Sequence, residues 1–266
     1  MAELTLRWRA PSEMPAAVAP DAQSWKSPEG RTFAFSSATG GDARIEVPGV
    51  AVYRAPAGAT EVEATPVPGA DVELVESLFR RFVRPIVLQF RGAEVLHASA
   101  VDSEHGVVAF IGPSQAGKST LAAAIGAEGV GVWADDTLVW AIDEGEAQVA
   151  ASEFQPRVRP EVASLGLRPA ALVSHGTRLF RAIYVLEAGP PDVRVAAQRM
   201  APALAARELL AQAFSFQLSN PERSRTMVAR YLRLAAQVSV FTLTVPRSLH
   251  RLEDTAREVV RLVGRR

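Results

Sequence analysis

Only "SEHG" separates two apolar runs, "AEVLHASAVD" (93–102) and "GVVAFIG" (106–112). Parallel strands need a crossover of about a dozen residues or more, so a connection this short makes an antiparallel hairpin. The second strand runs directly into "GPSQAGKST" (112–120), and "KSTLAAAIGAEG" (118–129) then reads as a short helix ending near a glycine C-cap. "VGVWA" (130–134) follows as a strand ending on Asp135-Asp136. Returning after one helix, it is expected to run parallel to "VVAFI". The chain is therefore committed to an α/β (α+β) core with a mixed sheet and an antiparallel hairpin entering the glycine-rich loop.

The loop fits G-x-x-x-x-G-K-[ST] without a mismatch, in the context that motif requires, after an apolar strand and before a helix. Gly112 and Gly117 let the backbone turn so that successive N–H groups face one concavity. Pro113, Ser114, Gln115, Ala116 and Thr120 complete the phosphate cradle, and the helix adds its N-terminal dipole. Lys118 brings a point charge to the β- and γ-phosphates, and Ser119 offers a hydroxyl to Mg²⁺. Asp135 and Asp136 are expected beside those phosphates. One can hold Mg²⁺ and the other can accept a proton from an attacking hydroxyl. His97 shares a strand face with Val95, Ser99 and Val101 by period-2 alternation. Spacing alone makes it a satisfied core histidine.

Upstream, residues 1–70 hold short β-like runs, "LTLRWR" (4–9), "TFAFSS" (32–37), "ARIEVPGVAVYRA" (43–55) and "EVEATPV" (61–67). They are separated by turn clusters and read as a small β-rich N-terminal lobe. Residues 71–266 then form the loop-bearing domain. Its first segment, 71–92, has helical spacing. Pro85 is expected to kink or end that helix, and Arg80, Arg81 and Arg84 to form a solvated face. Downstream come a hairpin at 137–143 and 146–152, an irregular basic stretch with a helical turn at 160–165, and strands at 180–189 and 193–199. Helices at 201–216 and 222–237, a strand at 239–246 and a last helix at 248–263 complete the chain.

Composition narrows the function classes. With 29 basic and 29 acidic side chains the formal net charge is zero, so no global field favours nucleic acid or an anionic membrane. The absence of cysteine removes disulfides, thiolate zinc sites and a cysteine nucleophile. No apolar run has the ~18 residues of a membrane span, and the N-terminus lacks the apolar core of a signal peptide. The expected setting is the cytoplasm.

Taken in order, His97 on a strand, the loop ending Lys118-Ser119, and the strand end Ala134-Asp135-Asp136 resemble the catalytic domain of HPr kinase/phosphorylase, a bacterial serine protein kinase. They resemble more closely its short relatives, some associated with modification of ribosomally made peptides. The resemblance is specific over about residues 90–140. It implies a fold related to phosphoenolpyruvate carboxykinase, with ATP and Mg²⁺ as cofactors. It also implies Asp136 as acceptor of the substrate hydroxyl's proton, Asp135 and Ser119 at the magnesium, Lys118 on the phosphates and His97 assisting nearby. Gln115 stands where the family commonly has glycine. The family's later metal-binding glutamate has Glu153 and Glu161 as candidates, and Arg157, Arg159, Arg178 and Arg181 are candidates for transition-state charge, with solvated surface positions as their alternative. The segment tied to phosphorolysis has no match, so dephosphorylation is not expected. The full-length relatives form oligomers, and whether this chain forms a homo-oligomer stays open.

The first functional expectation is an ATP-dependent kinase acting on a serine or threonine hydroxyl of a peptide or small protein. A kinase for a small-molecule hydroxyl would use the same chemistry with another acceptor. A sensor or assembly partner that binds ATP without transferring it is the non-enzymatic alternative. The chain has no LSGGQ-like signature of the ABC ATPases.

Overall fold

A computed structural model of the chain describes residues 4–12, 22–27, 30–38, 40–151, 172–173, 175–214 and 221–264. The chain divides into two compact units, Met1–Gly92 and Ala93–Arg266. The first is a six-stranded sheet built from β1 (Thr5–Trp8), β2 (Gln23–Lys26), β3 (Thr32–Ser37), β4 (Ala43–Val47), β5 (Ala51–Ala55) and β6 (Glu61–Pro66). The spatial order is β1-β6-β5-β4-β3-β2, antiparallel throughout except for the parallel β1–β6 pair. The run 43–55 is two strands rather than one, because Gly49 at φ 74° turns the chain between them. Strand β2 carries no apolar alternation and was not expected. Its Trp25 stacks on Phe33 at 5.1 Å between ring centroids.

The helical segment belongs to this first unit, so the boundary falls at Gly92 and not at residue 70. Side chains of the sheet hold it. Phe33 meets Phe82 at 5.0 Å, Phe35 meets Phe90 at 5.3 Å, and the buried Tyr53 hydroxyl donates to the Val75 carbonyl at 2.8 Å. Pro85 neither ends nor breaks the segment. Helix α1 (Val72–Leu78) passes through a π turn at Phe79–Val83 into α2 (Arg84–Phe90), and the Arg84 N–H bonds the Phe79 carbonyl five residues back. The wider turn makes room for a ring that lacks an N–H. Arg84 is buried rather than solvated, at 8% exposure, while Arg80 is part-buried and pairs with Glu76.

The second unit begins with β7 (Glu94–Leu96), β8 (Ser99–Ser103) and β9 (Gly106–Ile111), then α3 (Lys118–Ala127) and β10 (Gly131–Ala134). It continues with β11 (Leu138–Asp143), β12 (Glu146–Ala150), β13 (Thr177–Gly189) and β14 (Ala196–Arg199). Helices α4 (Pro202–Ala211) and α5 (Pro221–Gln237), strand β15 (Ser239–Pro246) and helix α6 (Leu252–Gly264) complete it. The hairpin β8–β9 is antiparallel as its short connection requires, and β9–β13 and β13–β15 are parallel. Strand β10 pairs antiparallel with β8, so it runs in the same direction as β9 with β8 between them. The unit is α/β, and its strands form one mixed nine-stranded sheet in which β13 joins β12 to β9 and β15. In β13, residues Thr177–Leu179 pair with β12, while Ala182–Gly189 pair with β15.

Both faces of β9 are buried, which explains its unbroken apolar run. Val107, Ala109 and Ile111 join one core with Trp133, Trp140, Tyr231 and Leu234. Val108 and Phe110 join the other with Leu121 and Ile125 of α3 and Ala256 and Val259 of α6. The candidate helical turn at 160–165, the residues Glu153, Arg157, Arg159 and Glu161, and the end of the expected 201–216 helix beyond 214 lie outside the described residues. No helix among the described residues is long and apolar enough to cross a membrane.

Candidate functional site

The loop after β9 owes its shape to three left-handed positions: Gly112 at φ 142°, Gln115 at 69° and Gly117 at 96°. A Cβ on Gly112 would lie 3.4 Å from the Leu186 carbonyl oxygen of β13, so glycine there also permits close approach to the neighbouring strand. Gln115 holds a conformation that glycine adopts at no steric cost. A side chain there is tolerated at a cost of about 1–2 kcal/mol. Pro113, Ser114 and Gln115 are exposed, while Ala116, Gly117, Ser119 and Thr120 are half-buried. The Ala116 N–H closes the turn on the Pro113 carbonyl at 3.2 Å.

Lys118 opens α3 and folds back over the loop. Its Nζ donates to the carbonyl oxygens of Gly112 at 2.9 Å and Pro113 at 3.2 Å. Burial pulls its ammonium below the ordinary lysine value, and the nearby carboxylates of Asp136 and then Asp135 pull the other way. Lys118 opens α3 just after β9, and the two aspartates follow β10, which runs in the same direction, so all three lie at one end of the sheet.

Strand β10 does not reach Asp135 regularly. Val132 pairs with Val101 and Ala134 with Ala100, so Trp133 is an extra residue opposite β8. A bulge of this kind re-aims the side chains that follow it. Asp135 is turned inward at 7% exposure, and its Oδ1 accepts a 2.7 Å hydrogen bond from the Ser99 hydroxyl, which is wholly buried. Asp136 takes up φ 71°, a left-handed position that aspartate tolerates better than most residues. Its backbone oxygen lies 2.9 Å from His97 Nδ1, and its Oδ1 lies 3.1 Å from the same nitrogen. With two oxygens converging on it, Nδ1 carries the hydrogen, and Nε2 is the imidazole's other nitrogen.

His97 is therefore not a core histidine. Its side chain is 41% exposed, and it sits where the expected single strand 93–102 is interrupted between β7 and β8. Strand β7 pairs with β11, whereas β8 pairs with β9 and β10, so the chain changes neighbours at this residue. The His97 N–H bonds the Gln212 carbonyl at 2.8 Å, which ties the break to the chain after α4.

Arg178 and Arg181 are not brought to this site. Arg178 binds Asp102 at 3.0 Å and the Ser103 carbonyl at 3.3 Å, at the hairpin end of β9. Arg181 lies beside Gly106 at that same end. The glycine-rich loop is roughly 17 Å away along β9.

Two polar residues that sequence reasoning did not single out matter here. Ser99 was legible as a hydroxyl two residues beyond His97, flanked by Ala98 and Ala100. Glu94, 1% exposed, is gripped through both oxygens by Arg223 at 2.7 and 3.0 Å and touched by Arg230 at 3.2 Å. Nothing in its spacing signalled a partner 129 residues away.

Ser119, Asp135 and Asp136 would offer Mg²⁺ the hard oxygen donors it prefers. Among the described residues no group of three or more His, Cys, Asp or Glu forms a protein-only metal cage. Mg²⁺ in nucleotide sites characteristically takes one or two carboxylates plus phosphates, so the residues present fit it.

No family model matches the chain, and no curated protein matches it. Among solved structures it is similar to the Hpr(Ser) kinase/phosphatase from Coxiella burnetii at 12% identity and a TM-score of 0.33, over 65% of this chain and 99% of that one. At that degree of overlap the chain's own residues must carry its chemistry.

Proposed function

We propose that the protein is a cytoplasmic, ATP-dependent kinase that transfers the γ-phosphoryl group to a serine or threonine hydroxyl of a peptide or small protein. The observation that carries this reading is the convergence of three elements at one end of the sheet. These are the G-x-x-x-x-G-K-S loop with Lys118, the strand end Asp135-Asp136, and the His97–Asp136 contact at 3.1 Å. A protein that only senses nucleotide has no need of a carboxylate oriented by a histidine beside the phosphates.

Each residue has a role in this reading. The loop's N–H groups and the N-terminus of α3 hold the phosphates. Lys118 exchanges its carbonyl partners Gly112 and Pro113 for phosphate oxygens, and its charge offsets negative charge in the transition state. Ser119 and Asp135 would hold Mg²⁺, which supplies charge neutralisation and orientation of the phosphates when bound. Asp136 accepts the proton of the attacking hydroxyl, and His97 Nδ1–H fixes that carboxylate's orientation.

Purified protein, Mg²⁺, γ-labelled ATP and peptides encoded beside it in its genome test the proposal. Wild type should label a serine or threonine. Asp136→Ala should bind nucleotide as well but transfer about 10²–10⁴-fold more slowly. Nucleotide binding by wild type with no label on any peptide would sink the peptide-kinase reading and leave a small-molecule acceptor or a non-transferring sensor.

A further inference from the structure

We propose that Ser99 is a positioning residue for Asp135, holding that carboxylate in the orientation from which it meets a magnesium–nucleotide complex; the proposal rests on the kinase reading above. Ser99 has 0% exposure and stands between Ala98 and Ala100, both fully buried, in the strand that leads into the hairpin. A hydroxyl at such a position destabilises the fold unless it is hydrogen-bonded. Its bond to Asp135 Oδ1, at 2.7 Å, spans 36 residues of sequence. Two features of the backbone make that bond possible. Ala100 and Ala134 are directly paired, and the bulge at Trp133 re-aims Asp135, two residues on, inward.

The chemistry of the donor is as informative as its position. A hydroxyl orients a carboxylate without cancelling its charge. An arginine in the same place would neutralise it, as Arg223 does for Glu94. A carboxylate oriented in this way, at the same end of the sheet as Lys118, can share a cation with bound phosphates. Second-layer hydrogen bonds of this type fix the geometry of ligating carboxylates, and their loss costs roughly 10- to 100-fold in metal affinity.

The test measures ADP binding by calorimetry over a range of Mg²⁺ concentrations for wild type, Ser99→Ala, Ser99→Thr and Ser99→Val. Thermal unfolding of the nucleotide-free proteins serves as the fold control. Thr and Val have nearly the same volume, so their difference reads the hydroxyl alone. Ser99→Thr should need about the wild-type Mg²⁺ concentration. Ser99→Val and Ser99→Ala should need roughly 10- to 100-fold more, with ADP affinity in the absence of Mg²⁺ unchanged in all four. An equal Mg²⁺ response in Thr and Val overturns the role of Ser99. If the added methyl unfolds both, Ser99→Ala against wild type decides, and equality there overturns it as well. Wild type that binds no ADP under any condition overturns the kinase reading together with this proposal.

Discussion

Among the described residues of the second unit, two carboxylates, Glu94 and Asp135, are buried and held in different ways. Glu94, at the start of β7, is met by two guanidinium groups, one of them in a two-pronged grip. Asp135, at the end of β10, is met by a neutral hydroxyl, with the Lys118 ammonium nearby but bonded to loop carbonyls. The first carboxylate has its charge neutralised in place and serves to pin α5 to β7. The second has its direction fixed by a hydroxyl. Burial alone therefore does not say how a carboxylate is held; the chemistry of its partner does. The same strand carries both lessons, since β7 is anchored at Glu94 and the chain leaving it presents His97 to Asp136.

The sharpest way to break this comparison is to remove the charge partner at one region and the carboxylate at the other. Arg223→Ala leaves Glu94 buried with one weaker partner and should lower the unfolding free energy by about 3 kcal/mol. The Mg²⁺ dependence of nucleotide binding should not move. Asp135→Ala should weaken Mg²⁺-dependent binding, and the buried Ser99 hydroxyl that loses its acceptor should cost about 1–3 kcal/mol of stability. Chemical denaturation and calorimetry on the two variants check both halves. A shift in Mg²⁺ dependence in Arg223→Ala as large as that in Asp135→Ala would erase the distinction.

A smaller effect separates the anchor's own neighbours. Tyr231, beside Trp140 with its ring at 5.0 Å, donates to the Val95 carbonyl at 2.7 Å, and burial pushes its phenol far above the ordinary tyrosine range. The unfolded chain loses this proton near pH 10 while the folded chain keeps it, so the folded state binds more protons above that pH. Stability should fall by about 1.4 kcal/mol per pH unit from this group as the pH rises past 10. Urea midpoints between about pH 9 and 11 should show a shallower decline in Tyr231→Phe. A decline of unchanged steepness would mean that the phenol is not shielded as described. At neutral pH that variant should lose only about 1 kcal/mol, because Val95 also accepts from the Phe214 N–H at 2.8 Å.

The smallest effect is the control. Arg257 on α6 lies within 3.5 Å of Glu128, Glu253 and Asp254, yet its side chain is 46% exposed. Water screens such a cluster, so Arg257→Ala should cost less than about 1 kcal/mol, and added salt should shrink even that. A loss equal to that of Arg223→Ala in the same denaturation series would show that the number of carboxylates met, and not their burial, sets the effect.

Much of this was open to reading in the chain itself. The four-residue connection dictated the antiparallel hairpin, and the spacing of apolar residues located nearly every helix and strand between residues 93 and 151. The loop announced itself because glycine at 112 and 117 is required by backbone geometry that few other residues adopt. The adjacent Asp135 and Asp136 could be placed near it because one helix and one returning strand admit few paths. The helical segment 71–92 was visible as a helix, but its allegiance was not, since periodicity shows that a face is apolar and not what covers it. Arg84 and Pro85 were misjudged for a related reason. Local rules price a charge as solvated and a proline as a helix breaker, and here burial and a π turn overrode both.

What the sequence determined by itself is the local grammar: strand, tight turn, strand, glycine loop, helix, strand, acid pair. Those features follow from sterics and hydrogen bonding within a few residues, so they survive in a one-dimensional reading. What only the tertiary structure decided is which polar groups meet. Ser99 with Asp135, His97 with Asp136 and Glu94 with Arg223 are joined across 36, 39 and 129 residues. Such pairings depend on register, on the bulge at Trp133 and on the change of strand partner at His97. A shift of one residue in any of these would turn the side chains to the opposite face, and no local preference of the chain encodes that choice.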